Sequence, residues 1–190
     1  MSLPVAVLDA CILYSALLRD LLMRLAGKSI YFPKWTEQIH HEWIENVLQN
    51  RPELSRAKLE RTRQLMELHA ADSLVTGYEA LIPHLTLPDV NDRHVLAAAV
   101  TAQASLIITY NLSDFPKRAL QPYGIAAQHP DVFLSSLFDT EPTAFLEALQ
   151  EMLHALQNPP RTLEQHLDVM SEQGLHKTVE RLATMKLQSN

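Results

Sequence analysis

The chain has a single cysteine, Cys11, so no intrachain disulfide can form and a thiolate-rich zinc or iron-sulfur centre is excluded. It has no charge-free apolar stretch of membrane-spanning length. Its first residues, MSLPVAVLDA, lack the basic segment and long apolar run of a secretory signal. Internal repeats and low-complexity segments are also missing. Basic residues are the minority, 16 Lys and Arg against 22 Asp and Glu for a formal net charge of −6, which argues against coating nucleic acid through a uniformly basic surface. The expectation is a soluble, cytoplasmic protein with no membrane partner. Its 190 residues, 47% of them hydrophobic, suffice for one sizeable core and a small appendage. The acidic balance does not exclude a nuclease, because a site for divalent cations must concentrate carboxylates in one place.

What is present is an alternation of strand and helix patterns. Val5 to Leu8 is an apolar run of the kind buried on both faces of a parallel sheet, and it ends at Asp9. Leu13, Leu17, Leu21 and Leu25 then form one stripe of a helix over about 12–26, stopped by Gly27. Residues 29–32 read as a second strand closed by Pro33, and Thr36 caps a helix to about Leu48. A basic helix is expected from Glu53 to about Ala71, followed by irregular chain from Asp72 to Pro88. Pro88-Asp89 introduces a helix through the alanine-rich run 95–100 to about Ala104, then a strand over 106–109, a turn over 111–116 and a short strand over 124–127. This order implies an α/β fold with a mostly parallel central sheet. Beyond Asp139 only helical periods remain: Phe145 to Leu156, a break at Asn158-Pro159-Pro160, a capping box at Thr162 and Gln165, a stop at Gly174 and a last helix from Lys177 to Met185. The division suggested is 1–138 for the α/β domain and 139–190 for a helical extension.

Candidate chemistry lies in the acids. Asp9 follows the first strand at its carboxyl end, where open α/β sheets gather ligand-binding groups, although a helix-cap aspartate reads the same way. Glu42 lies seven residues after Trp35 and three after Ile39, on the apolar side of its helix, whereas Glu45 falls on the other side. Asp89 and Asp92 are spaced as N-cap and third helical residue, and a structural role covers both. Asp114 follows a strand end in TYNLSDFP, where a turn role is locally adequate. Together, Asp9, Asp92 and Asp114 would converge at one sheet edge, and such a cluster persists when magnesium or manganese neutralises it.

Other residues have weaker claims. The helix bearing Arg56, Lys58, Arg61 and Arg63, with Arg93, Lys117 and Arg118, offers phosphate contacts, but a solvated helix face explains a charge run equally well. His40 and His41 point about 100° apart and make poor joint ligands, His94 is expected to face away from Asp92, and Cys11 to pack as a small apolar residue behind Asp9.

The blocks VLDACIL (7–13), WTEQIHHEW (35–43), LPDVNDRHVLAAAV (87–100) and IITYNLSDFP (107–116) resemble, in order and spacing, the PIN domains, in particular the VapC-like toxins of bacterial toxin-antitoxin pairs. The resemblance covers about residues 1–138. It implies a three-layer α/β/α fold, metal-dependent hydrolysis of RNA by the quartet Asp9, Glu42, Asp92 and Asp114, Asp89 as a further metal neighbour, and Thr109 and Asn111 shaping the site. It also implies a cognate antitoxin. The tail is similar to the helical extension of some such toxins and would serve the antitoxin, a second copy in a homodimer, or the fold alone. Two alternatives share the fold: a PIN nuclease of RNA processing or DNA flaps, and a non-catalytic interaction module. A haloacid-dehalogenase-like phosphatase is disfavoured because Cys11 stands where that family places its second aspartate.

Overall fold

A computed structural model describes residues 3–156 and 161–188. Four strands, β1 (Val5–Leu8), β2 (Phe32–Lys34), β3 (Leu106–Ile108) and β4 (Ala126–Gln128), form one parallel sheet in the order β2-β1-β3-β4. The helices are α1 (Ala10–Tyr14), α2 (Ala16–Gly27), α3 (Glu37–Asn50), α4 (Arg56–His69), α5 (Arg93–Thr101), α6 (Lys117–Leu120), α7 (Pro130–Thr140), α8 (Pro142–Ala155), α9 (Leu163–Glu172) and α10 (His176–Gln188). The expected α/β/α architecture with C-terminal helices is present. β1 is central because Ala6, Val7 and Leu8 are fully buried and lack any polar group to solvate. Ala97, Ala98 and Ala99 are likewise fully buried, and their small side chains let α5 pack closely on β1 and β3. The chain leaves β1 toward β2 on one side and reaches β3 on the other, so the strand order reverses at the β1–β3 pair. A crevice opens beyond the carboxyl ends of these two strands.

Several boundaries differ from the sequence reading for local reasons. The single helix over 12–26 is two, because Ser15 takes an extended backbone (φ −73, ψ 117) and its Oγ accepts from Leu18 N at 3.2 Å, capping α2. Pro33 does not close a strand at 32; it sits inside β2, whose position at the sheet edge tolerates a residue without an N–H. Asp89 is not the cap of α5. That helix starts at Arg93, and Asp89 Oδ1 instead accepts from Asn91 N at 2.8 Å in a turn of its own. α7 has no counterpart in the sequence reading: Pro130 occupies its first turn and His129 Nδ1 accepts from Asp131 N at 3.2 Å. The division suggested at residue 138 falls inside this helix.

Other expectations hold. Thr36 caps α3, Thr162 and Gln165 form the capping box of α9, and Gly174 ends α9 with a left-handed φ of +78. The Asn158-Pro159-Pro160 break lies outside the described residues. The extension is built onto the core: α8 packs on α2, and α10 packs on α7, whose Phe133 meets Tyr31 edge-on at 5.2 Å. Among the described residues no helix is long and apolar enough to cross a membrane.

Candidate active site

Asp9 is 6% exposed and both of its oxygens are occupied. Oδ1 accepts from Ala10 N at 2.6 Å, so the residue caps α1; Oδ2 accepts from Thr109 Oγ1 at 2.7 Å and from Cys11 Sγ at 3.2 Å. The cap and the site readings of Asp9 are therefore compatible in one side chain. Thr109 is fully buried at the end of β3, where its N–H donates to Gln128 O at 3.1 Å and its hydroxyl also accepts from Asn111 N at 3.0 Å. One threonine thus fixes the acid of β1 and the turn after β3. Cys11 does pack behind Asp9. Its thiol is pushed up to about 12, by burial first and then by the Asp9 charge, and it stays protonated as a donor.

Asp92 immediately precedes α5 and makes no side-chain cap. Its carboxyl is pushed up to about 6, chiefly by desolvation, then by the charges of Asp9, Asp89 and Asp114, with His94 acting in the opposite sense. Acids from three separated segments, Asp9, Asp89 with Asp92, and Asp114, thus lie close enough for the other three to act on Asp92. Asp114 is half-buried in a 3-10 turn, Leu112–Asp114, that Asn111 O closes by accepting from Asp114 N at 3.1 Å. Asp89 is exposed at the rim of this group.

Glu42 stands in a different relation. Its Oε1 lies 3.0 Å from Nε2 of His94 and accepts from Gln38 Nε2 at 3.1 Å. The expectation that His94 faces away from the acids is corrected: it is 3% exposed and bridges α5 to the acid of α3. Its second ring nitrogen, Nδ1, is buried without a hydrogen-bond partner among the described residues. Helical phase in the sequence gave no hint of this contact, because the partner lies on another helix. His40 is fully buried and accepts from Trp43 Nε1 at 2.9 Å through Nδ1, while His41 is exposed; they are not a ligand pair.

The basic candidates are less engaged. Arg61 is exposed on α4, and its neighbours Arg56 and Arg63 pair with Glu45 and Glu37 rather than forming an open basic face. Arg93 is half-buried beside Asp92, with Nε lacking a partner among the described residues. Asn111, Lys117 and Arg118 are exposed next to Asp114.

Among the described residues no three His, Cys, Asp or Glu side chains form a ready-made metal site. The donor set nevertheless suits a hard cation. The ligands on offer are carboxylates, burial and three neighbouring acids raise the proton affinity of Asp92, and magnesium is commonly held by one or two carboxylates while keeping several waters.

The sequence profile of the PIN domain matches residues 5–113, more than half of the chain. The chain belongs to the PIN-domain family. That match takes in Asp9, Glu42, Asp89, Asp92, Thr109 and Asn111 and ends one residue before Asp114. The profile of the VapC50 C-terminal domain matches residues 130–184, from the start of α7 into α10. A Mycobacterium tuberculosis protein named "Putative ribonuclease VapC50" is 43% identical over 97 residues, which span 51% of this PIN-domain chain and 57% of that protein. No solved structure matches the chain.

Proposed function

We propose that this PIN-domain protein is a metal-dependent endoribonuclease acting as the toxin of a toxin-antitoxin pair, with an antitoxin protein as its partner. The observation that carries the nuclease reading is the placement of Asp9 directly after β1, bonded to Thr109 directly after β3, at the crevice where the strand order reverses. The carboxyl of Asp92, pushed up by burial first and then by Asp9, Asp89 and Asp114, supports it. Asp9, Asp92 and Asp114 would hold magnesium or manganese, with Asp89 at the rim and Glu42 held by His94 on α3. The metal supplies an activated water and charge stabilisation on the phosphate. The protein's own work is positional. Thr109 fixes the direction of the Asp9 carboxylate, Asn111 closes the turn bearing Asp114, and His94 holds Glu42 across two helices. Arg93, Lys117 and Arg118, and more distantly Arg61, are the groups offered to phosphate. The toxin role is supported by the resemblance to VapC-like toxins and by the VapC50 relative. A cytoplasmic location and a homodimer belong to the same reading, as does a catalytic unit over 1–138 with a helical extension after it.

The deciding experiment incubates wild type and Asp92→Ala with total RNA, with manganese or with chelator, and maps the ends produced. Cleavage that needs metal and vanishes in the variant supports the reading. Cutting of DNA flaps in preference to RNA would move the protein to the processing branch of the family, and inertness toward every nucleic acid would leave an interaction module.

A further inference from the structure

Among the described residues, the extension hydrogen-bonds toward the candidate site at Gln173. Gln173 ends α9, and Gly174 after it takes a left-handed φ of +78, so the chain reverses there before α10. At this reversal the side-chain Oε1 of Gln173 accepts from Ser15 Oγ at 2.7 Å, and its backbone carbonyl accepts from Tyr110 Oη at 3.0 Å. Both partners belong to segments that follow the strands bearing the site. Ser15 lies at the junction of α1, which Asp9 caps, and α2. Tyr110 stands between Thr109, the donor to Asp9, and Asn111, which closes the turn to Asp114; its backbone N–H also donates to Cys11 Sγ at 3.4 Å.

The reversal is itself held down. Asp131 of α7 is 6% exposed and accepts from Lys177 N and Thr178 N at 2.9 Å each and from Thr178 Oγ1 at 2.9 Å, which satisfies free N–H groups of the first turn of α10. His129, just before α7, packs edge-on against the Tyr110 ring with centroids 5.0 Å apart. α7 thus grips α10, and the turn before α10 grips the loops after β1 and β3.

We infer that the α9–α10 turn is part of the active-site scaffold, with Gln173 a positioning residue that ties Ser15 and Tyr110 together and so holds the loops carrying Asp9, Thr109 and Asn111 at a fixed separation. The inference rests on the proposed nuclease reading for its catalytic consequence. Its structural content stands separately. The loops after β1 and β3 belong to different strands, and in a site where reacting groups must be held to a fraction of an ångström, a bridge between them restricts motion along the direction that matters.

The test compares full-length wild type with Gln173→Ala, Tyr110→Phe, the double variant and Gln173→Glu, which keeps an acceptor for Ser15. Amide hydrogen exchange should quicken by about ten-fold over residues 108–114 in the double variant, while α9 and α10 keep their protection. RNA cleavage should lose roughly 10- to 100-fold in kcat with KM unchanged, the scale on which misplaced groups are felt. Gln173→Glu should restore both readouts relative to Gln173→Ala. Wild-type exchange over 108–114 in the double variant would overturn the inference, as would a rise spread evenly over α9 and α10, which marks general loosening. If wild type cuts no RNA in a manner that Asp92→Ala abolishes, the nuclease reading fails, and the exchange data still decide the brace.

Discussion

Thr109 and Asp92 have opposite balances of stability and chemistry. Thr109→Val keeps the shape of a fully buried side chain but deprives Asp9 Oδ2 of its 2.7 Å donor. A charged acceptor left short of a partner costs about 1–3 kcal/mol, so urea unfolding should shift by that amount and cleavage should weaken with it. Asp92→Asn removes one of the mutually repelling acids, whose carboxyl is already pushed up to about 6 by burial and its neighbours. In chelator the variant should melt a few degrees above wild type, and added manganese should raise wild type but not the variant. Melting curves with and without metal check both. The sequence made the positions of Asp9 and Asp92 legible because one ends a strand and the other opens a helix. It could not show that Glu42 is held by His94, since that contact joins α3 to α5 and depends on how two helices pack.

The elements were legible where a cap or period is local, as at Thr36, Thr162 with Gln165 and Gly174. They were misread where a side chain competed with a period: Ser15 splits a leucine stripe that would otherwise run through one helix. α7 went unseen because its cap, His129, is not among the usual N-cap residue types, although Pro130 after it suits a first helical turn. α9 carries a pH dependence of its own. His166 is fully buried, neither ring nitrogen has a partner among the described residues, and its pKa is lowered by burial first and then by Arg161. A histidine with a lowered folded pKa takes up its proton more readily when unfolded. Its contribution is present in full above the unfolded value near 6.5 and declines as pH falls below it, by at most about 1.4 kcal/mol per pH unit. Urea unfolding at pH 7.5 and pH 5.5 should therefore show a larger acid loss in wild type than in His166→Leu.

At the scale of the whole molecule, the extension is fastened at Asp131 more firmly than at any surface ion pair of α10. Asp131→Ala strands two backbone donors, leaving the Thr178 hydroxyl only the carbonyl of residue 131, and should cost about 3 kcal/mol, measured as a lower urea midpoint, whereas Arg181→Ala, which loses an exposed pair with Asp139, should cost less than about 1 kcal/mol. The link between Asp131 and the first turn of α10 lies within the stretch 130–184 that the VapC50 C-terminal domain profile matches. Chain order adds a matter of timing. Asp9, Asp92 and Asp114 leave the ribosome well before Gln173, and domains fold from the N-terminal side as they emerge. A nascent chain would carry its full set of acids while the loops beneath them are still unbraced, so the cutting edge would sharpen only after α9 and α10 have been synthesised. On the proposed nuclease reading, that delay would separate the protein's manufacture from its action.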